Sequence, residues 1–482
     1  MSHCRLDSTE SMEAESSEYD DDEDDCGDDY YTNNFGEDDG IDFDREEDPE
    51  FFSFSLVPPE EAKQMFDTIT AKASKEMQIS TSIARLLLIA HKWNLDKLLE
   101  RHRIDPVGLM IECRVMPKKT LKCMPSRPTY CPVCFQRMPR TVTISLPCGH
   151  FFCDSCWSAH FASQLQIGVS SGIECMNCNL LVGETVVLNV LKGGKLREKF
   201  INFLFNDQIK TFSKLRWCPG INCGFLVRAE EPAAKRVICS KCNTMFCFSC
   251  GEKYHAPTDC ATIRKWLTKC EDDSETANYI TANTKDCPEC GSCIEKNGGC
   301  NHMQCIKCKH DFCWMCMGTW KSHGSEYYEC SRYKSNPNIA NESAGIQARE
   351  ALKKYLFYFE RWQNHADSLK KEAETQRKIN QKIQEKVNNN IGTWIDWQYL
   401  LNATSLLAKC RYTLMYTYPY AYFIENGRKK LFEYQQAQLE VEIENLSWKL
   451  ERDDSYSRGD FENQMDIAEK RRQTLLKDFS AN

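Results

Sequence analysis

The chain has 482 residues, 29 cysteines and a formal net charge of −9, which is length enough for about three or four domains of ordinary size. No run approaches the roughly 18 consecutive apolar residues of a membrane span, and residues 1–50 contain no apolar run that would serve as a secretory signal. Neither a membrane protein nor a secreted disulfide scaffold is expected; the cysteines should be reduced and metal-bound, in the cytoplasm or nucleus.

Residues 1–50 hold 22 Asp and Glu against Arg5 and Arg45, a net of −20, which leaves +11 on residues 51–482. The run Glu18 to Asp29 is too charged and too poor in apolar groups to fold. Residues 1–57 therefore read as an acidic disordered tail ended by Pro58-Pro59.

Residues 58–115 read as a small helical domain. Ala62, Met65, Phe66 and Ile69 recur at helical spacing, as do Ile83, Leu86, Leu87, Ile89 and Ala90, and then Leu98 and Leu99. Three short helices in so short a segment resemble the ubiquitin-associated (UBA) fold.

The stretch from Cys131 to Cys330 holds 24 of the 29 cysteines. In residues 127–183, Cys131, Cys134, Cys148, His150, Cys153, Cys156, Cys175 and Cys178 match the eight-ligand pattern of a RING finger, whose ligands interleave. Cys131, Cys134, Cys153 and Cys156 would hold one zinc; Cys148, His150, Cys175 and Cys178 would hold the other. A helical linker occupies 184–214, with Leu196, Phe200, Phe203, Leu204 and Ile209 on one stripe. Residues 215–262 form a second zinc module. There Cys218, Cys223, Cys239 and Cys242 are assigned to one ion, and Cys247, Cys250, His255 and Cys260 to another. After a polar linker at 263–284, residues 285–335 carry Cys287, Cys290, Cys305 and Cys308, then Cys313, Cys316, His323 and Cys330. The total is six structural zinc ions on 21 cysteines and three histidines. Each module is too small to bury an adequate core alone, so closed four-ligand sites would supply the folding free energy. With every metal position filled, the metals leave no open site for chemistry.

Three cysteines of the block remain: Cys270, Cys293 and Cys300. Cys270 lies in a polar connector, and Cys293 has unremarkable neighbours. Cys300 sits in Asn297-Gly298-Gly299-Cys300-Asn301-His302. Two glycines allow close backbone approach, and a histidine two residues on would share a face with Cys300 in an extended strand. That is the environment of a nucleophilic thiolate. Asp311 is a candidate to orient His302.

Residues 338–482 are nearly free of cysteine. Leu352, Tyr355, Leu356, Phe359 and Trp362 trace one helical stripe, Trp394, Trp397, Leu400 and Leu401 another, and Leu431, Tyr434, Leu439, Ile443 and Leu446 a third. They predict a bundle of about four helices with the aromatic stripes in its core. The fold class is thus mainly α with small zinc-stabilised modules.

The order of RING, smaller zinc module and second RING-like module resembles the RING-between-RING ubiquitin ligases. Gly298-Gly299-Cys300-Asn301-His302-Met303 is similar to the catalytic-cysteine motif of that family. Tyr355 to Arg361 and Thr393 to Trp397 resemble its Ariadne branch. The resemblance implies an E3 ligase that accepts ubiquitin from a conjugating enzyme as a thioester on Cys300 and passes it to a substrate lysine. It implies His302 as general base toward the incoming amine. It implies that Val133 and the loop at Met176 and Asn177 touch the conjugating enzyme. Many RING fingers have a proline between their last two ligand cysteines, where this chain has Met176-Asn177. It further implies that the C-terminal helices cover the catalytic module and that a neddylated cullin-RING ligase releases them through the UBA-like helices. The competing reading is a non-catalytic RING scaffold that only docks a conjugating enzyme. Nucleic-acid binding is disfavoured: no Cys2His2 finger is present, and the lysines and arginines are dispersed, not gathered in a stripe.

Overall fold

The computed structural model describes residues 49–118, 130–138, 146–272, 284–296, 298–321, 330, 332–334, 343–424, 426–452 and 457–480. The UBA-like unit is built from α1 (Pro59–Met77), α2 (Thr81–Ala90), α3 (Leu95–Ile104) and α4 (Pro106–Glu112). Local chemistry sets each start. Pro59 opens α1 with Glu60 and Glu61 in its first turn, where a proline loses no hydrogen bond and acids meet the positive helix end. Ser80, Asn94 and Asp105 accept from the backbone N–H groups of Ile83, Lys97 and Gly108 as N-caps of α2, α3 and α4. Phe66, Leu87, Leu88 and Leu98 are fully buried. Their core continues into Phe205 and Ile209 of α7 (Lys195–Thr211), so the linker helix is a wall of this unit, not a free spacer.

The segment just ahead of α1 differs from the sequence expectation. Residues 50–57, placed by composition in the disordered tail, are folded. Strand β1 (Ser55–Val57) pairs antiparallel with β3 (Leu226–Arg228) of the middle zinc module, which also pairs with β2 (Leu215–Trp217). The Phe52 ring packs tilted against Phe248 at 5.4 Å. The Glu50 carboxylate is buried between Arg472, at 2.5 Å, and Arg236, at 3.4 Å. Charge density argues against folding only where no counter-charge is available, and two arginines supply it here. Residues 1–48 lie outside the described residues.

The zinc modules are loops held by short hairpins: β4 (Arg236–Ile238) with β5 (Met245–Cys247), β6 (Thr284–Asp286) with β7 (Cys293–Glu295), and β8 (His302–Gln304) with β9 (Asp311–Cys313). The first RING adds α5 (Asp154–Gln166) and α6 (Glu184–Val190). The C-terminal bundle consists of α9 (Ala344–Asn388), α10 (Trp394–Phe423), α11 (Asn426–Glu451) and α12 (Arg458–Phe479). Capping boxes at Thr393/Asp396 and Ser457/Asp460 start α10 and α12. Its core also takes in Trp266 of α8 (Cys260–Asp272). Part of the expected core is exposed: Leu352, Trp394, Leu431 and Tyr434 face solvent. In α11 the buried face runs Phe432, Gln436, Leu439, Ile443, Leu446, and residues 431 and 434 fall off that i, i+3/i+4 line. No helix among the described residues is long and apolar enough to cross a membrane.

Candidate active site

The metal-ligand sets come together as tetrads. Cys131, Cys134, Cys153 and Cys156 have their ligand atoms within 4.8 Å of one another. So do Cys148/His150/Cys175/Cys178, Cys218/Cys223/Cys239/Cys242, Cys247/Cys250/His255/Cys260 and Cys287/Cys290/Cys305/Cys308. Sulfur–sulfur separations of 3.8 Å for Cys131–Cys156, 3.4 Å for Cys218–Cys242 and 3.6 Å for Cys287–Cys308 are close to the ~3.8 Å edge of a tetrahedron with Zn–S near 2.3 Å. Such all-Cys and Cys3His donor sets fit structural zinc. The Nδ1 of His255 meets the Thr258 carbonyl at 2.6 Å, leaving Nε2 beside Cys250 at 3.3 Å. A fixed tautomer of this kind suits a metal-ligating imidazole. In the last set, Cys313 lies 3.9 Å from Cys330, and Cys316 is also close enough to Cys330 to interact with it. His323 lies outside the described residues.

Of the three leftover cysteines, Cys293 is exposed on β7 and Cys270 half-buried on α8. Cys300 belongs to none of the five tetrads named above and is 1% exposed. It lies just before β8. Its sulfur receives the His302 N–H at 3.3 Å and points its own hydrogen at the Glu444 carbonyl at 3.8 Å. What buries it is α11. Glu451 accepts the Cys300 N–H at 3.1 Å. Glu444 accepts the Asn301 N–H at 2.5 Å and the Asn301 side-chain amide at 3.0 Å. The glycines serve this approach: a Cβ at Gly298 would lie 2.5 Å from a Glu451 oxygen, and one at Gly299 2.9 Å from Glu372.

A charged network surrounds the contact. Arg411, fully buried on α10, pairs with Glu372 of α9 and with Glu444 at 3.3 Å. Lys296 donates to Asn301 at 3.1 Å, Asn364 at 2.9 Å and Ser368 at 3.0 Å, and burial lowers its pKa to about 8. Burial, with the Glu444 and Glu451 carboxylates adding to it, pushes the Cys300 thiol well above its ordinary range. In this arrangement the sulfur is a thiol, not a thiolate.

The His302 ring meets Asp311 at 3.1 Å through Nε2. It is also clamped between two indoles: Trp320 at 4.2 Å and Trp448 of α11 at 3.8 Å, both stacked. Burial lowers the His302 pKa, with Asp311 opposing. Asp311 therefore stands where the sequence placed it. Lys296, Asn301, Glu444, Trp448 and Glu451 were missed. The last three lie at i, i+4 and i+7 on α11, a single face carrying two acids and a tryptophan; that spacing was the available signal.

On the first RING, Val133 is half exposed, Asn177 is exposed and Met176 is half-buried. Phe135, at 78% exposure, and Tyr130 add to an uncovered apolar surface.

Family profiles match along the chain in the same order as these units. They are an E3 ubiquitin-protein ligase ARIH2 N-terminal UBA domain at 59–113, a C3HC4-type RING finger at 131–178 and an IBR domain, a half RING-finger domain, at 198–260. An IBR domain at 282–331 and an Ariadne domain at 353–475 follow. E3 ubiquitin-protein ligase ARIH2 of Mus musculus is 57% identical over 437 residues, covering 90% of this chain and 89% of that protein. The potential E3 ubiquitin-protein ligase ariadne-2 of Caenorhabditis elegans is 50% identical, covering 84% and 86%. E3 ubiquitin-protein ligase ariadne-1 of Drosophila melanogaster is 36% identical, covering 85% and 84%. With its UBA-like helices, zinc modules and C-terminal bundle in that order, this chain belongs to the Ariadne family of RING-between-RING E3 ubiquitin ligases.

Proposed function

We propose that ubiquitin passes through Cys300. A ubiquitin-conjugating enzyme charged with ubiquitin docks on the first RING, at Val133, Met176 and Asn177. The Cys300 thiolate attacks the thioester carbonyl, a new carbon–sulfur bond forms, and the enzyme's cysteine leaves and takes up a proton. A substrate lysine then attacks the Cys300 thioester, gives its proton to His302, and Cys300 departs as thiolate. The observation that carries this reading is that Cys300 is outside the five metal tetrads named above, lies beside an Asp311-supported histidine, and has its own backbone N–H and that of Asn301 engaged by carboxylates.

The same contact supports autoinhibition. With α11 in place the thiol is inaccessible, protonated and facing two acids. A partner opens the site only through greater affinity for the open state. The partner assigned to that role is a neddylated cullin-RING ligase engaging residues 58–104. Charged conjugating enzyme mixed with the Cys300→Ser chain should trap a stable oxyester at residue 300 once the site is opened. An oxyester elsewhere, or none with an opened chain of intact zinc content, sinks the thioester route and leaves the scaffold reading.

A further inference from the structure

Acyl transfer at a thioester needs more than a nucleophile and a base. Attack on the carbonyl moves an electron pair onto oxygen, and that oxyanion must be met by donors already in place. Three donors cluster at the nucleophile: the backbone N–H of Cys300, the backbone N–H of Asn301 and the Asn301 side-chain amide. Each is bound to a carboxylate oxygen, with Glu451 on the first and Glu444 on the other two, at 3.1, 2.5 and 3.0 Å. Carboxylate oxygens are acceptors that share the negative charge and hydrogen-bonding habit of a tetrahedral oxyanion. The Asn301 amide is pre-set by its own oxygen, which accepts from Lys296 at 3.1 Å, and the Asn301 carbonyl is tied to the Trp314 N–H at 2.9 Å. Lys296 and Trp314 belong to the same zinc module, and the Asn301 side-chain oxygen also accepts from Asn364 of α9 at 3.1 Å. None of the three partners lies on α11, so the donors would keep their aim when α11 alone leaves.

We propose that Asn301, with the backbone N–H groups of residues 300 and 301, forms the oxyanion site of both transfer steps, and that Glu444 and Glu451 occupy it in the closed chain as oxyanion mimics. The proposal rests on Cys300 being the acyl-carrying nucleophile. In each step the carbonyl oxygen gains the electron pair on attack and holds it against these donors. It returns the pair when the carbon–sulfur bond breaks, to the conjugating enzyme's sulfur in the first step and to the Cys300 sulfur in the second. The mimicry also explains why acids, of all residues, face a thiol: they satisfy donors that would otherwise be buried without acceptors.

The test uses the full chain opened by Glu444→Ala with Glu451→Ala, and in parallel by the two Glu→Gln changes, which keep side-chain volume. Asn301, Asn301→Ala and Asn301→Asp are compared in three single-turnover measurements. These are transfer from charged conjugating enzyme onto Cys300, discharge to free lysine, and alkylation of Cys300 by iodoacetamide, a displacement with no oxyanion. Removing one such donor elsewhere costs ~10²–10³ in rate; with two backbone donors remaining, Asn301→Ala should slow both acyl steps about 10–100-fold and leave alkylation within about twofold. Asn301→Asp keeps the shape and the Lys296 bond yet should be slower than Asn301→Ala, because it sets a carboxylate against the oxyanion. A structural role predicts the opposite order, Asp better than Ala. The proposal is overturned by that order, by unchanged acyl transfer, or by alkylation that falls in parallel. If the Asn301-bearing control forms no Cys300 thioester, the nucleophile itself is misassigned, which is a separate failure.

Discussion

The first and last zinc modules make an instructive pair. Both are pinned by Cys-x-x-Cys knuckles, and each carries a residue given a role above, Val133 in the first and Cys300 in the last. The first leaves its apolar residues uncovered, with Val133 at 50% and Phe135 at 78% exposure, whereas the last holds Cys300 at 1%. The metal fixes backbone geometry in each case and decides nothing about access. Access is decided by a helix about 150 residues away in sequence, which brings acids to one module and leaves the other bare.

Metal removal probes what the modules share and should have the largest effect. Chelation is expected to unfold residues 131–330 and abolish ubiquitin transfer while α9–α12 stay largely helical, since structural zinc supplies on the order of 10 kcal/mol of folding free energy per ion. Circular dichroism with zinc release on titration of a chelator checks this; a bundle that melts along with the modules would show that the two regions are not separable.

Next comes the helix that distinguishes them. Glu444→Ala with Glu451→Ala should raise the rate of Cys300 alkylation at pH 7.5 by about 100-fold, because burial and both carboxylates now hold the thiol protonated, and each pKa unit is a tenfold change in thiolate. The first RING should be untouched. Equal alkylation in variant and unmodified chain would mean α11 is not the cover. The converse experiment is Val133→Ala with Phe135→Ala, which should slow transfer from charged conjugating enzyme about 10-fold, the size of a modest interface hot spot, without changing Cys300 alkylation. A change in alkylation would deny that the surfaces act independently.

The smallest effect is expected at the strap formed by residues 50–57, whose β1 pairs with β3. Glu50 is held at a pKa of about 2 against an ordinary 4.5, burial being opposed by Arg472 and Arg236. A depressed carboxylate stabilises above its unfolded pKa and loses that contribution as pH falls through its folded one. The strap should therefore hold at pH 5 and above and detach between pH 4.5 and 2. Glu50→Gln should cost about 1–2 kcal/mol, less than a broken buried pair usually costs, because Arg472 retains Glu469 at 2.6 Å. Thermal melts at pH 7 and pH 4 measure both; identical pH dependence in variant and unmodified chain would remove Glu50 from the account.

What could be read from the sequence divides along the same line. Ligand pairs at fixed short spacing report their own geometry, because a knuckle is local. The grouping of Cys148 and His150 with Cys175 and Cys178 follows from the interleaved RING pattern, and the leftover status of Cys300 from counting. Three of the four long helices follow from periodicity; α12 carries none of those three stripes. The strap did not show, since Glu50 looks like its acidic neighbours until Arg236 and Arg472 are brought to it from far down the chain. Nor did Glu444, Trp448 and Glu451 announce a target, although their spacing marked a face. Sequence records which side chains share a surface; tertiary contact alone says what that surface meets.

The distances along the chain have a consequence for synthesis. Cys300 and Glu451 are 151 positions apart, and Glu50 and Arg472 are 422 apart. At about 5–20 residues per second, roughly 8–30 s pass between making the thiol and making the end of its cover. Through that interval a nascent chain carries a zinc module whose Cys300 has no α11 to cover it, and the strap's arginine on α12 arrives later still. A message that stops anywhere between residue 335 and α11 would fix the molecule permanently in that uncovered condition. Translational fidelity across the last third of the chain is thus part of what keeps this thiol covered.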